Sequence, residues 1–126
     1  MPKQNLFLGK SAEDAASRFL KEKGYKILKR NFKTRLGEID IIARDKDTLC
    51  FVEVKARSSL RFGLPYEAVS GFKQRQISKA ALMYLKENHR LDKKARFDVV
   101  SITYSGNSPK FDLIQNAFEL SQHFIY

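Results

Sequence analysis

The sequence is poor in cysteine and in long apolar runs, and each shortage excludes a class of protein. One cysteine, Cys50, among 126 residues cannot build a disulfide framework or a zinc cluster. It stands beside Val52 and Val54, which indicates a buried structural thiol rather than a nucleophile. No stretch approaches the roughly 20 apolar residues that a membrane-spanning helix needs. The first residues lead into no signal-type apolar block, so we expect a cytoplasmic protein without a membrane partner.

Basic residues, in contrast, are abundant. The chain has 24 lysines and arginines against 14 acidic residues, which gives a formal net charge of +10 at pH 7. A positive field of this size suits a polyanion such as nucleic acid. Ribosome-associated proteins and membrane-surface binders share this property, so charge alone leaves the partner open. The length and a hydrophobic content of 43% predict one domain with a proper core.

Residues 37–57 contain the most informative pattern of the chain. Two apolar runs, Ile39–Ala43 and Leu49–Val54, flank a short polar segment, which predicts a β-hairpin. Pairing Asp40 with Glu53 gives one wholly apolar face, whereas a slip by one residue mixes polar and apolar side chains on both faces. The members of that apolar face are Ile39, Ile41, Ala43, Cys50, Val52 and Val54.

The opposite face of the hairpin gathers charged side chains at its open end. Asp40 and Glu53 pair there, and Lys55 shares their face because it follows Glu53 by two residues. Carboxylates placed among apolar side chains are costly unless a cation lies between them. Hard oxygen ligands suit Mg²⁺ or Mn²⁺, and Lys55 is placed to orient water or to steady charge on a phosphate. A salt-bridged strand face at a sheet edge explains the same spacing, which does not separate the two interpretations.

Two elements precede the hairpin. After a loose lead-in over residues 1–10, Ser11 is the predicted N-cap of a helix that ends before Gly24. Glu13 in its first turn is either a metal ligand or a solvated acid favoured by the helix dipole. A lysine-rich strand follows over Tyr25–Phe32, as a protected sheet edge or as a wall that faces phosphates.

The second half of the chain predicts a loop, a helix and two strands. Arg57 and Arg61 in the loop either grip a phosphate backbone or only solvate the loop. An amphipathic helix is expected over residues 70–88, with strands over 96–104 and 110–115 and an apolar tail that packs on the core or on a partner. Asp98 either supports the site or caps the entry of its strand, and a structural role is preferred. The element order gives an α/β domain with a mixed sheet flanked by helices.

The hairpin segments Gly37–Ile42 and Phe51–Arg57 resemble the YraN-like family of small bacterial proteins. That family is similar to archaeal Holliday-junction resolvases of the PD-(D/E)xK, restriction-endonuclease-like superfamily. The resemblance continues through residues 9–24, 62–69, 73–75 and 96–100. It implies a single restriction-endonuclease-like domain over residues 1–126. Ile39 departs from the superfamily pattern because it stands at the proline position.

The resemblance also implies roles for individual residues. Asp40 matches the motif aspartate, Glu53 and Lys55 match the E-x-K pair, and Glu13 matches the helix glutamate that completes the metal site. The implied activity is Mg²⁺- or Mn²⁺-dependent endonucleolytic cleavage of DNA, with branched or junction DNA as the candidate substrate, a homodimer and no organic cofactor. The candidate nucleic-acid contacts are Arg57, Arg61, Lys73, Gln74 and Arg75. The alternative is a DNA- or partner-binding module that keeps the fold with little or no cleavage.

Overall fold

The chain was analysed as a computed structural model, which describes residues 2–58, 70–104, 106 and 108–119, with side chains from Ser11 onward. Two helices and five strands make up the fold, in the order α1 (Pro2–Glu22), β1 (Lys26–Thr34), β2 (Gly37–Asp45), β3 (Thr48–Arg57), α2 (Gly71–Glu87), β4 (Ala95–Thr103) and β5 (Lys110–Phe118). The strands form one sheet in the spatial order β1-β2-β3-β4-β5. Only β3 and β4 run parallel, so the sheet is mixed. The predicted α/β class is confirmed.

The register of the central hairpin is the predicted one. Ile41 pairs with Val52 and Ala43 with Cys50 in an antiparallel ladder that closes at Lys46 and Asp47. This offset is the one in which Asp40 faces Glu53. The alternation of apolar residues therefore specified the register, because any other pairing would have exposed part of the core.

Each face of the sheet is covered by one helix. On one face, Ala12, Ala16 and Leu20 of α1 pack on buried residues of β2, β3 and β4. On the other face, Ile77, Ala81 and Leu85 of α2 pack on a second buried cluster. Cys50 is fully buried on the α1 face, as the sequence predicted. Neither helix has the length and apolar content needed to span a membrane, for the residues that the structure describes.

Ile39 does not lie on the predicted face. It packs with Phe32 and Ile77 on the α2 side, whereas Ile41 lies on the α1 side. Strict alternation would place both residues on one face. The ladder between β2 and β3 ends at the Ile41–Val52 pair, and the side chain of Asp40 takes the next backbone N–H of β3. The first residues of β2 are therefore paired only with β1 and follow a different twist.

The predicted boundaries of α1 were wrong at one end and right at the other. The helix begins at Pro2 rather than at Ser11, so residues 2–10 are helical and Ser11 is no N-cap. Proline is favoured in the first turn of a helix, which agrees with this start. At the other end Gly24 has a φ of +96°, and the N–H of Tyr25 donates to the carbonyl of Leu20 at 3.0 Å. This is the Schellman arrangement expected of a C′ glycine.

The remaining elements agree closely with their predictions. β1 is an edge strand, and α2 has Ser70 as its N-cap, whose side chain accepts from the N–H of Lys73. β5 is longer than predicted and continues to Phe118, which stacks on Phe97 with ring centroids 4.6 Å apart. The predicted loop residues 59–69, and the tail from residue 120 onward, lie outside the described residues.

Candidate functional site

Two carboxyl groups meet where β2 and β3 separate. The Oδ2 atom of Asp40 accepts a hydrogen bond of 2.8 Å from the backbone N–H of Val54. Glu53 lies on the neighbouring strand and is only 5% exposed. The side chain of Asp40 thus substitutes for the missing ladder bond and is held against β3. The structure brings together the two acids that the sequence paired.

The pKa values of both acids are raised above their ordinary values. Burial, and then the charge of Asp40, raise the pKa of Glu53 to about 8. Burial also raises the pKa of Asp40, against the hydrogen bond from Val54 and the charge of Lys73. A hydrogen bond between the two carboxyl groups favours the proton on Glu53. The site therefore retains a proton near neutral pH because it contains more negative charge than its surroundings stabilise.

Two lysines from different elements approach this pair. The Nζ atom of Lys55 is 4.0 Å from Oε1 of Glu53, and the Nζ atom of Lys73 is 3.7 Å from the same oxygen. Lys55 was predicted here from strand alternation. Lys73 comes from the first turns of α2 and was predicted as a nucleic-acid contact, not as a neighbour of Glu53. The nearer cation is therefore supplied by a helix that is remote in sequence.

A close approach of α2 to β2 makes this contact possible. A Cβ atom at Gly37 would lie 2.5 Å from the carbonyl oxygen of Gln76. No side chain fits at that distance without moving the backbone of α2. Gly37 is thus a required residue of the site's scaffold, although it carries no functional group.

Glu13 provides a third carboxylate from α1. Its Oε1 atom is buried and has no hydrogen-bond partner among the described residues. Burial first, and the charge of Asp40 second, raise the pKa of Glu13. Arg30 on β1 lies 3.9 Å from Glu13 and 2.6 Å from Asp14. The structure therefore places Glu13 within electrostatic reach of Asp40, as expected if it belongs to the same site, and adds Arg30 as its neighbour.

The other predicted contact residues spread around this end of the sheet. Arg57 ends β3 beside Thr103, Gln74 is half-buried on α2, and Arg75 is exposed on the same helix. Arg61 lies outside the described residues. The role of these residues as nucleic-acid contacts stays a prediction.

The donor set fits a divalent cation in its chemistry. Asp40, Glu53 and Glu13 offer hard carboxylate oxygens, and Glu13 has an oxygen that lacks a partner. In the described ranges, however, no three His, Cys, Asp or Glu side chains are gathered closely enough to surround one ion. The pair Asp40 and Glu53 matches the one or two protein carboxylates with which Mg²⁺ is commonly held, the remaining ligands being water and substrate.

A second buried carboxylate lies toward the turn end of the same sheet. Asp98 is fully buried and accepts hydrogen bonds from Nε of Arg96 at 3.0 Å, the hydroxyl of Tyr25 at 2.9 Å and the N–H of Asn116 at 2.9 Å. Arg96 also donates to Asp45 at 2.7 Å. Burial would lower the pKa of Arg96, but the hydrogen bonds to Asp45 and Asp98 raise it. These contacts confirm the structural role predicted for Asp98.

Three functional positions were missed or undervalued by sequence reasoning. Lys73 was assigned to nucleic acid rather than to Glu53, and neither Arg30 nor Gly37 was assigned to the site. The one signal for Arg30 was a basic residue on a strand that follows a helix with adjacent acids. No sequence signal identified the contact between Gly37 and α2.

Comparisons with known proteins agree over nearly the whole chain. A model of the family described as "Uncharacterised protein family UPF0102" matches residues 12–102. A UPF0102 protein of Geobacter metallireducens is 54% identical over 121 residues, which cover 96% of this chain and 99% of that protein. Relatives from Syntrophus aciditrophicus and Syntrophomonas wolfei are 51% and 47% identical, covering 94% and 90% of this chain and 93% and 99% of their own lengths.

Proposed function

The chain belongs to the uncharacterised protein family UPF0102, and we propose from its own residues that it is a divalent-metal-dependent DNA endonuclease. Its core would then be of the restriction-endonuclease-like type that its hairpin motif resembles. The substrate is a phosphodiester bond, with branched or junction DNA as the preferred form. Because such junctions are two-fold symmetric, the proposal includes a homodimer with paired sites.

One observation carries the proposal. Asp40 and Glu53 are held together in a buried setting that raises the pKa of both. This arrangement costs stability in the free protein, and a surface that only bound DNA would gain nothing from it. A divalent cation bound between the two acids would offset their repulsion, polarise a phosphate and lower the pKa of an attacking water.

The chain's own residues supply the other requirements of hydrolysis. Asp40 is oriented by the N–H of Val54, which holds its Oδ2 atom against β3. Lys55 and Lys73 stand 4.0 and 3.7 Å from Glu53, where their charges would attract a phosphate. Lys55 orients the attacking water or steadies the charge that develops on the phosphate. Glu13 adds a carboxylate oxygen whose hydrogen-bonding capacity is unused.

A DNA-binding module without cleavage is the second candidate, and one observation favours it. Arg30 is 3.9 Å from Glu13, while two lysines approach Glu53, so each acid already has a cation near it. In such a module the cations would stabilise the acids without a metal. DNA binding that needs no divalent ion, with no cleavage in any ion, would favour this alternative.

A cleavage assay separates the two candidates. Supercoiled plasmid, a four-way junction and a linear duplex of the same sequence are incubated with Mg²⁺ or Mn²⁺. We expect Asp40→Asn and Lys55→Met to lower the cleavage rate by roughly 10²-fold or more, the usual scale for losing one group that stabilises the transition state. Glu87→Gln and Lys86→Met, which change exposed residues of α2, serve as matched controls. Equal cleavage by wild type, Asp40→Asn and Lys55→Met would indicate a contaminating nuclease and overturn the proposal.

The homodimer is tested separately by light scattering at micromolar concentration. A dimer agrees with cleavage of symmetric junctions. A strict monomer that still cleaves DNA would remove the junction preference from the proposal and leave the chemistry in place.

A further inference from the structure

A second charged feature lies at the turn end of the hairpin, away from Asp40 and Glu53. The described residues enclose there a cavity of about 560 Å³, and four of its lining side chains are cations. We call this cavity the basic groove and define it by Arg44, Lys46, Arg90 and Lys93. Its size is within the range of roughly 300–1,000 Å³ typical of ligand sites.

The positive charge of the basic groove is not balanced by the protein. In the described part of the chain, none of its four cations takes part in a salt bridge, and all four are exposed. Asp47 is the one acid among the described lining residues, and its carboxylate lies 3.4 Å from Lys94, which does not line the cavity. Four like charges around one cavity repel one another, so a bound anion would relieve an unfavourable arrangement.

Most of the carbonyls at the end of α2, beside the basic groove, already accept hydrogen bonds from the protein. Asn88 donates from Nδ2 to the carbonyl of Tyr84 at 2.8 Å, and the N–H of Arg90 donates to the carbonyl of Leu85 at 2.7 Å. The N–H of His89 donates to the carbonyl of Lys86 at 3.2 Å, so three of the last four carbonyls of α2 are occupied. The floor of the basic groove is apolar, with Leu49 buried and Leu28 38% exposed. This combination of a cationic rim and an apolar floor suits a phosphate joined to a less polar sugar and base.

The position of the basic groove relative to the candidate site favours a strand over a small ligand. Arg44 follows Asp40 by four residues on β2, a distance of about 13 Å along a strand. The helix α2 spans the same interval, because Lys73 near its start approaches Glu53 and Tyr84 near its end lines the basic groove. Both features therefore lie on the α2 side of the sheet. The spacing corresponds to the rise of roughly four nucleotides, at about 3.4 Å each, along the axis of a DNA duplex.

We propose that the basic groove binds the phosphate backbone of a DNA strand a few nucleotides from the bond held at Asp40 and Glu53. The identity of the ligand as DNA rests on the proposed function, whereas the anion-binding chemistry of the basic groove does not. A free nucleotide shares that chemistry. The strand is favoured because four cations exceed what one phosphate needs and because the basic groove continues the line of the candidate site.

The test measures DNA binding without cleavage. Fluorescence anisotropy of a labelled oligonucleotide in EDTA is recorded for wild type and for Arg90→Glu/Lys93→Glu. The matched control is Arg18→Glu/Lys21→Glu, which reverses one arginine and one lysine, three residues apart and exposed on α1 at the other face of the sheet. Both variants have the same net charge. We expect the groove variant to bind at least tenfold more weakly and the slope of log K against log salt to fall by about 1–2. The control should lose clearly less.

Two outcomes would overturn the inference. One is an equal loss of affinity in both double variants, which would indicate a general effect of net charge. The other is unchanged binding by the groove variant.

Circular dichroism verifies folding, and the milder Arg44→Gln provides a second variant that should weaken binding in the same direction. If adenosine monophosphate competes as strongly as an oligonucleotide, the basic groove binds a single nucleotide and not a DNA strand. If the groove variants bind DNA like wild type while Asp40-dependent cleavage stands, only the proposed function survives. If the groove variants bind more weakly but no Asp40-dependent cleavage is found, only the basic groove is retained.

Discussion

The sheet contains two buried clusters of acidic residues, and they differ in how far the protein supplies donors and cations to their carboxylates. Around Asp98, a guanidinium, a hydroxyl and a backbone N–H all donate to one carboxylate. Around Asp40 and Glu53, the N–H of Val54 donates to Asp40 alone, and two lysines approach Glu53 no closer than 3.7 Å. The first cluster is satisfied by the protein itself. The second is left short of positive charge.

This difference indicates which cluster stabilises the fold and which one is available for function. A buried carboxylate with a full set of donors stabilises one conformation and offers nothing to a ligand. Carboxylates with raised pKa values cost free energy that could have been avoided by apolar residues. Perturbed titration of this kind is concentrated at functional sites. We therefore assign the Asp98 cluster to the fold, whereas the Asp40–Glu53 cluster is the one on which the proposed function depends.

The largest effect on stability is expected at Asp98. Asp98→Ala should lower the free energy of unfolding by about 3–5 kcal/mol, because it removes the buried acceptor of the Tyr25 hydroxyl and of the Asn116 N–H and leaves Arg96 with Asp45 as its carboxylate partner. Chemical denaturation measures the change. Asp92→Ala, at an exposed loop position, is the control and should change stability by less than about 0.5 kcal/mol. A loss at Asp98 as small as at Asp92 would contradict the assignment of this cluster to the fold.

Substitution of Glu53 is expected to raise the free energy of unfolding, whereas substitution of Asp98 lowers it. Its pKa is raised in the folded state from 4.5 to about 8, so folding favours the protonated form. The associated stability is fully present below pH 4.5 and is lost as the pH rises toward 8. Glu53→Gln, which mimics the protonated group, should stabilise the metal-free protein by about 1–3 kcal/mol at the upper end of this range and little at the lower end. Thermal melts in EDTA at both ends of the range measure this effect. A variant less stable than wild type throughout would show that Glu53 is satisfied in the same way as Asp98.

A loss of stability smaller than at Asp98 is expected at the contact between β2 and α2. Gly37→Ala would place a Cβ atom 2.5 Å from the carbonyl oxygen of Gln76 and force α2 away from the site. We expect a loss of about 1–3 kcal/mol, the usual cost of overpacking. Gly71→Ala is the matched control, since its Cβ would meet only the flexible end of Arg75 at 3.6 Å. Equal stability of the two variants would contradict the close approach of α2 to β2 at Gly37.

The register of the hairpin could be predicted because apolar alternation permits one pairing only. That pairing placed Asp40, Glu53 and Lys55 at one end, where the structure has them. The C′ role of Gly24 and the extent of α2 followed from local rules in the same way. Each of these features depends on neighbours within a few residues or on the pattern of one hairpin.

The features that could not be predicted depend on contacts remote in sequence. Ile39 changes face because Asp40 takes a ladder bond with its side chain, which no alternation rule describes. The N–H of Asn116 reaches Asp98 only because β5 departs from regular pairing opposite that residue, where Asn116 has a φ of +53°. The distance between Lys73 and Glu53 is set by the packing of α2 on β2, and therefore by Gly37.

Titration calorimetry with Mn²⁺ tests whether Asp40 and Glu53 bind a divalent cation. We expect saturable Mn²⁺ binding by the wild-type protein above neutral pH and loss of binding in Asp40→Asn. Asp47→Asn, which changes an exposed acid at the hairpin turn, should bind Mn²⁺ like wild type. Absence of uptake by the wild type, or uptake of equal strength in all three proteins, would contradict the claim that Asp40 and Glu53 form a cation site.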